Sequence, residues 1–85
     1  MDKYLILCRS LTRAQRAAGA LERAGILSAI TKAPQTLTPD GCTYALRLSA
    51  EKGPRALAVL DGAGLDYGRV YRLSEDGTPT EVSRR

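Results

Sequence analysis

The spacing of hydrophobic positions changes several times along this 85-residue chain, and each change marks a predicted element. Residues 4–8 form an unbroken apolar run of strand length, which predicts a central strand, β1. Residues 11–24 then place Leu and Ala at three- and four-residue steps, between the N-cap residue Ser10 and the helix-ending Gly25. This pattern predicts a helix, α1, which packs close to the sheet because its inward face is mostly alanine.

The rest of the chain gives strand and helix signals in turn. Residues 26–31 carry β-branched side chains and predict β2, which a proline-containing loop follows. Residues 43–49 alternate between apolar and polar positions and predict β3. A proline in the first turn favours a helix, α2, over about residues 51–62. Residues 67–73 form a short strand with arginines, β4, which suits the edge of a sheet.

This element order, β-α-β-β-α-β, is that of the ferredoxin-like fold. Right-handed crossovers place both helices on one face of a four-stranded antiparallel sheet with the spatial order β4-β1-β3-β2. We expect residues 1–73 to form this single α+β domain and residues 74–85 to form a polar, flexible tail. Because β1 and β3 are then antiparallel neighbours, the end of β1 lies beside the start of β3 and the first turn of α1.

Composition excludes most classes of independent enzyme. The chain has no histidine and two cysteines, so it offers neither the common zinc sites nor a serine–histidine or cysteine–histidine relay. A domain of this size has room for a modest core but not for a deep cleft. We therefore expect no metal and no cofactor, and a protein that works with a partner rather than a stand-alone enzyme.

The positive net charge indicates which kinds of partner the protein could bind. The net charge is +4, and the arginines of the first quarter suit an acidic protein, a phosphate or a nucleic acid, or are simply a solvated helix face. With four tyrosines and no other aromatic side chain, we do not expect a nucleic-acid partner. No apolar stretch is long enough for a membrane span and no signal peptide precedes β1, so we expect a cytoplasmic protein.

Cys42 is the candidate reactive group. It lies in a turn before β3, and the predicted topology brings it to the end of β1 and the first turn of α1. Arginine charge and the amides of a helix start both stabilise a thiolate, so they can lower the pKa of Cys42 and make it nucleophilic. The alternative is that Cys42 is a small apolar side chain that only fills space and is not reactive. The predicted supporting residues are Gly41, Arg9, Ser10, Thr12 and Arg13.

Cys8 has two interpretations. Within a continuous apolar strand, a cysteine is most often buried for packing. Cys8 could instead be a resolving thiol that forms a disulfide with Cys42, because neighbouring strands can bring two Cα atoms within the roughly 4.4–6.8 Å that a bridge needs. The direction of the two side chains decides between these interpretations, and the sequence does not fix it.

Several segments of the chain resemble one family of small bacterial proteins. The similarity lies in residues 3–7, the α1 ending at 21–26, the Gly41-Cys42 pair with residues 44–47, and the closing residues 67–71. These segments look like those of the putative selenium/sulfur carrier protein-like family, in which the Gly-Cys pair is the signature. The resemblance implies that Cys42 holds sulfur or selenium as a persulfide or selenosulfide and hands it to a partner enzyme.

Two functions therefore remain open. A carrier implies donor and acceptor proteins as partners, and the Arg9 and Arg13 edge would attract an acidic donor. Each transfer needs an exposed thiolate but no general base on this chain. The alternative is a non-catalytic dimeric module that binds a small ligand or has a regulatory role, with its helix-free sheet face against a second subunit. The reactivity of Cys42 separates the two.

Overall fold

The computed structural model describes residues 2–34, 37 and 44–82, and these residues contain five strands and two α-helices. The predicted elements are all present, and their ends differ from the predicted ends by up to three residues. In chain order the elements are β1 (Lys3–Cys8), α1 (Leu11–Arg23), β2 (Ala29–Lys32), β3 (Tyr44–Ser49), α2 (Gly53–Gly62), β4 (Val70–Leu73) and β5 (Pro79–Glu81), with a 3-10 turn (Ala50–Lys52) before α2.

One antiparallel sheet joins the five strands in the order β2-β3-β1-β4-β5. The predicted order of the first four strands is confirmed. The prediction of a four-stranded sheet is wrong, because β5 pairs with the far side of β4. It follows that β4 is an interior strand and not the predicted edge. Since β5 lies within residues 74–85, the boundary between domain and tail stays a prediction.

Both helices cover the same face of the sheet. In α1 the side chains of Ala14, Ala17 and Ala20 are at most 6% exposed, so this helix packs by close approach and not by bulk, as its sequence predicts. In α2 the inward side chains are Ala56, Leu57 and Leu60. The sheet residues in this helix-side core are Tyr4, Ile6, Cys8, Leu46, Leu48 and Val70.

The opposite face of the sheet has a smaller core of its own. Leu5, Leu7, Ala45 and Tyr71 are buried there, although neither helix contributes a residue to this cluster. Leu37, from the connection between β2 and β3, packs against them. The central apolar side chains of the helix-free face are thus already removed from water within a single chain.

The helices are short. α1 has 13 residues and α2 has 10, which corresponds to lengths of roughly 20 and 15 Å at 1.5 Å per residue. In the part of the chain that the structure describes, no helix has the length and apolar character needed to cross a membrane.

Candidate functional site

Three segments meet at one rim of the sheet, around the end of β1. Cys8, the last residue of β1, pairs with Tyr44, the first residue of β3. Only Arg9 and Ser10 separate β1 from α1, so the first turn of α1 begins at the same rim. The predicted proximity of these three segments is confirmed for the residues that the structure describes.

The predicted carrier thiol lies outside the described residues. Cys42 and its neighbour Gly41 precede Tyr44, where the description of β3 begins. Their predicted roles therefore stay predictions. The other predicted site residues are described, namely Cys8, Arg9, Ser10, Thr12 and Arg13.

Ser10 caps the start of α1. Its backbone is extended (φ −145°, ψ 160°), and its Oγ accepts a hydrogen bond from the Arg13 N–H at 3.2 Å. No acidic side chain lies in the first turn of α1, so no carboxylate of this turn offsets the positive end of the helix dipole. The side chains of Thr12 and Arg13 are exposed there. The N-cap prediction for Ser10 is confirmed.

The segment before β4 forms the other wall of the rim. The Gly68 N–H donates to the Leu7 carbonyl oxygen at 2.7 Å, and the Leu7 N–H donates to the Arg69 carbonyl oxygen at 2.9 Å. These bonds hold the segment beside β1. Between it and α1 lies an open cavity of about 360 Å³, which we call the rim groove; its lining residues are Arg9, Arg13, Asp66, Tyr67 and Gly68.

Asp66 faces Arg13 across the rim groove. The Arg13 Nη1 atom lies 3.5 Å from Asp66 Oδ2, and the two side chains are 52% and 86% exposed. Water screens such a pair, so it contributes little to stability and both groups stay accessible to other partners. Sequence reasoning missed Asp66, because a single carboxylate in a turn belongs to no motif. Its place follows from the strand pairing that brings this segment to the end of β1.

The described residues of the groove and its surroundings do not form a metal site. Among residues 2–34, 37 and 44–82, no group of three or more His, Cys, Asp or Glu side chains comes close enough together to hold a metal ion.

Tyr67 connects the groove wall to α2, because its hydroxyl donates a hydrogen bond to the Asp61 carboxylate at 2.8 Å. The described chemistry of the groove is therefore that of two guanidinium groups and one carboxylate.

Cys8 is part of the helix-side core. Its side chain is 1% exposed, and its Sγ–H donates to the Ile6 carbonyl oxygen at 3.7 Å. The burial expected from the packing interpretation is confirmed. A disulfide between Cys8 and Cys42 stays a prediction, because Cys42 lies outside the described residues.

The fold and the rim together define the class of protein: a small α+β domain of βαββαββ order with arginines at the end of its central strand. Residues 3–72 match the model of the family described as putative Se/S carrier protein-like. This match spans most of the chain and includes Gly41 and Cys42, so the chain belongs to that family. Comparisons with curated proteins and with solved structures found no match.

Proposed function

We propose that this protein carries sulfur or selenium on Cys42 and delivers it to a partner enzyme. Membership in the Se/S carrier-like family supports this function. The observation that carries the assignment to Cys42 is the burial of the other thiol. The chain has two cysteines, and Cys8 is 1% exposed. Since a carrier thiol must meet the sulfur of a partner, Cys42 is the cysteine that can serve.

Chain connectivity is the reason why we expect Cys42 near the rim. Two residues span at most roughly 7 Å, and Cys42 precedes Tyr44 by two positions, while Tyr44 pairs with the last residue of β1. Arg9 follows that residue directly, and the first turn of α1 starts two positions later. Nearby positive charge favours a thiolate, so we expect the pKa of Cys42 to lie below the ordinary value for cysteine.

The loading reaction is a sulfur exchange. The Cys42 thiolate attacks the outer sulfur of a donor persulfide, a new S–S bond forms, the donor S–S bond breaks, and the donor leaves as a thiolate. The outer sulfur keeps its proton. An acceptor thiolate then attacks that sulfur in the same way and regenerates the Cys42 thiolate. No electrons are gained or lost overall, so neither step needs a redox cofactor. Because the attacking group is already a thiolate in each step, neither step needs a general base on this chain.

Intact-mass analysis after incubation with a persulfide donor tests the proposal. The wild type and Cys8→Ala should each gain the mass of one sulfur atom, whereas Cys42→Ser should gain none. Cys8→Ala is the matched control, because it removes the buried thiol and leaves the proposed carrier in place. Circular dichroism checks that this variant is folded. Undiminished loading of Cys42→Ser would contradict the proposal.

The alternative function is a dimeric module that binds a small ligand or has a regulatory role. The reactivity of Cys42 distinguishes this module from a carrier. A carrier needs an activated Cys42, so its rate of alkylation by iodoacetamide at neutral pH should exceed that of free cysteine. A rate no faster than that of free cysteine favours the module. Leu5 and Leu7 are already buried on the helix-free face, so a dimer through the centre of this face would bury little further apolar surface there.

A further inference from the structure

We propose that the rim groove binds the α-amino-acid end of a small thiol donor, with the donor carboxylate toward Arg9 and Arg13 and its ammonium group toward Asp66. The assignment of this ligand as the sulfur donor rests on the proposed function. The binding itself depends only on described residues and does not require Cys42. The donor class is then an amino-acid persulfide, and the groove positions it while the exchange of sulfur follows the balanced step given above.

The size of the groove suits a small molecule. Its volume is about 360 Å³, at the lower end of the roughly 300–1,000 Å³ that is usual for small-ligand pockets. The cavity is open to solvent, so a bound donor can keep its sulfur outside while its charged end is held. This arrangement leaves the sulfur available to an attacking thiolate.

Hydrogen bonds within the chain fix both walls of the groove. On one side, the Ser10 cap holds the first turn of α1 and thereby the Cα position of Arg13. On the other, the bonds between Leu7 and the segment at Gly68 hold the Asp66 wall against β1. Because the walls are ordered before a ligand arrives, binding needs little further ordering of the chain.

The charges of the groove are arranged for a ligand that carries both signs. A guanidinium binds a carboxylate through two parallel hydrogen bonds, which Arg13 and Arg9 can offer from the same cavity. Asp66, 3.5 Å from Arg13, can accept from an ammonium group. A simple anion would meet the same arginines but would be repelled by Asp66. The carboxylate therefore favours a zwitterion over inorganic phosphate.

Titration of the full chain with S-methyl-L-cysteine tests the binding. This probe has the charged end of the donor but no thiol, and the protein is Cys42→Ser, so no sulfur chemistry occurs. Saturable NMR shifts should appear at the backbone amides of residues 9–13 and 66–68. Arg13→Gln should weaken binding about fivefold or more, as expected for the loss of one charge-assisted contact. Arg23→Gln, the same change in the exposed last turn of α1, is the matched control and should have no effect.

Asp66→Asn gives the sharper result, because its effect has opposite signs for the two kinds of ligand. It should weaken binding of S-methyl-L-cysteine and strengthen binding of methylthiopropanoate, which has the carboxylate but no ammonium group. If Asp66→Asn strengthens both, or if inorganic phosphate binds the unaltered groove more tightly than S-methyl-L-cysteine, the groove is a plain anion site and the proposal is overturned. Absence of saturable shifts also overturns it. None of these outcomes bears on Cys42 loading, which is measured separately.

Discussion

The two ends of β1 border hollows of similar size but opposite charge. The rim groove, of about 360 Å³, has two arginines and one aspartate in its lining. At the Lys3 end lies a cavity of about 340 Å³, which we call the base hollow, lined by Asp2, Ser49, Ala50, Glu51 and Arg72. Its two carboxylates outnumber its one arginine. The lining charges therefore favour an anionic or zwitterionic ligand at the rim groove and disfavour an anion at the base hollow.

The two hollows also differ in how their charged groups are paired. In the base hollow, Arg72 Nε donates to Asp2 Oδ2 at 2.9 Å, and the Asp2 carbonyl oxygen accepts from the Ala50 N–H at 3.2 Å. In the rim groove, the Arg13 and Asp66 atoms are 3.5 Å apart, and Asp66 is 86% exposed. Hollows of similar volume thus differ in their ion pairs: the Arg72 and Asp2 pair is short, whereas the Arg13 and Asp66 pair is longer and more exposed.

The largest expected effect concerns the packing at the base end. Gly53 begins α2 beside the ring of Tyr4, and a Cβ at this position would lie closer than 3.0 Å to three ring atoms. Tyr4 is 5% exposed, so its ring has little room to move. Gly53→Ala should therefore lower the free energy of unfolding by about 1–3 kcal/mol, as overpacking usually does. Urea denaturation measures this.

Gly62→Ala is the matched control in the same helix. Apart from the chain neighbours of Gly62 and the backbone of its own helix, no atom lies within 4 Å of a Cβ built there. This alanine therefore meets no obstacle and should change stability by no more than about 1 kcal/mol. Equal losses for the two variants would show that the Tyr4 contact does not limit the packing of α2. Tight packing would then no longer distinguish the base end of β1 from the rim end.

Much of the fold could be predicted because local signals and tertiary contacts agree. The apolar run of β1 and the Ser10 cap both indicate elements that the structure contains. β5 has no such signal, because all of its residues are exposed and it contains a proline. It exists through backbone pairing with β4, extended by the bond from the Val82 N–H to the Val70 carbonyl oxygen at 2.8 Å. That pairing requires β4 as a neighbour and has no side-chain pattern of its own.

The difference between local signals and tertiary pairing also explains which residues of the rim could be predicted from the sequence. Arg9, Ser10 and Arg13 are close in the chain, so a strand followed by a capped helix was enough to place them together. Asp66 is 53 positions from Arg13 and reaches it only because β4 pairs with β1. Register of this kind is set by the whole sheet, and no spacing of residues encodes it locally.

We expect the ion pairs at the two ends of β1 to contribute less to the free energy of unfolding than the packing at Gly53 does. Double-mutant cycles with Asp2→Asn and Arg72→Gln should give a coupling of about 0.5–1 kcal/mol, because the pair is short and the Asp2 side chain is 31% exposed. The cycle with Arg13→Gln and Asp66→Asn should give a coupling near zero, since this pair is longer and more exposed. Unfolding free energies in urea measure both.

The order of the two couplings is the result that matters. If the Arg13 and Asp66 pair contributes more to stability than the Asp2 and Arg72 pair, the rim charges are structural and the contrast between the two ends is wrong. Added salt should reduce the coupling of the Asp2 and Arg72 pair, which checks that it is electrostatic.

The smallest expected effect is a pH dependence in the turn between β4 and β5, which adjoins the base end through the pairing of Leu73 with Lys3. The Asp76 carboxylate accepts hydrogen bonds from the Ser74 hydroxyl and from the Thr78 N–H, and these hold the pKa of Asp76 at about 2, below its usual 3.8. A lowered pKa in the folded chain stabilises the turn fully above the unfolded value. This contribution is lost as the pH falls through about 2.

Comparison of wild type with Asp76→Asn isolates this group from the other carboxylates, because asparagine keeps an acceptor oxygen but does not titrate. The difference in stability between the two proteins should be largest above the unfolded pKa of 3.8 and shrink as the pH falls toward about 2, whereas the Thr78 amide shift should titrate with a midpoint near pH 2, in the wild type alone. A difference that stays constant across this range would mean that the turn donors do not favour the charged carboxylate. The base end would then owe its order to packing and to the Asp2 and Arg72 pair, without a contribution from this turn.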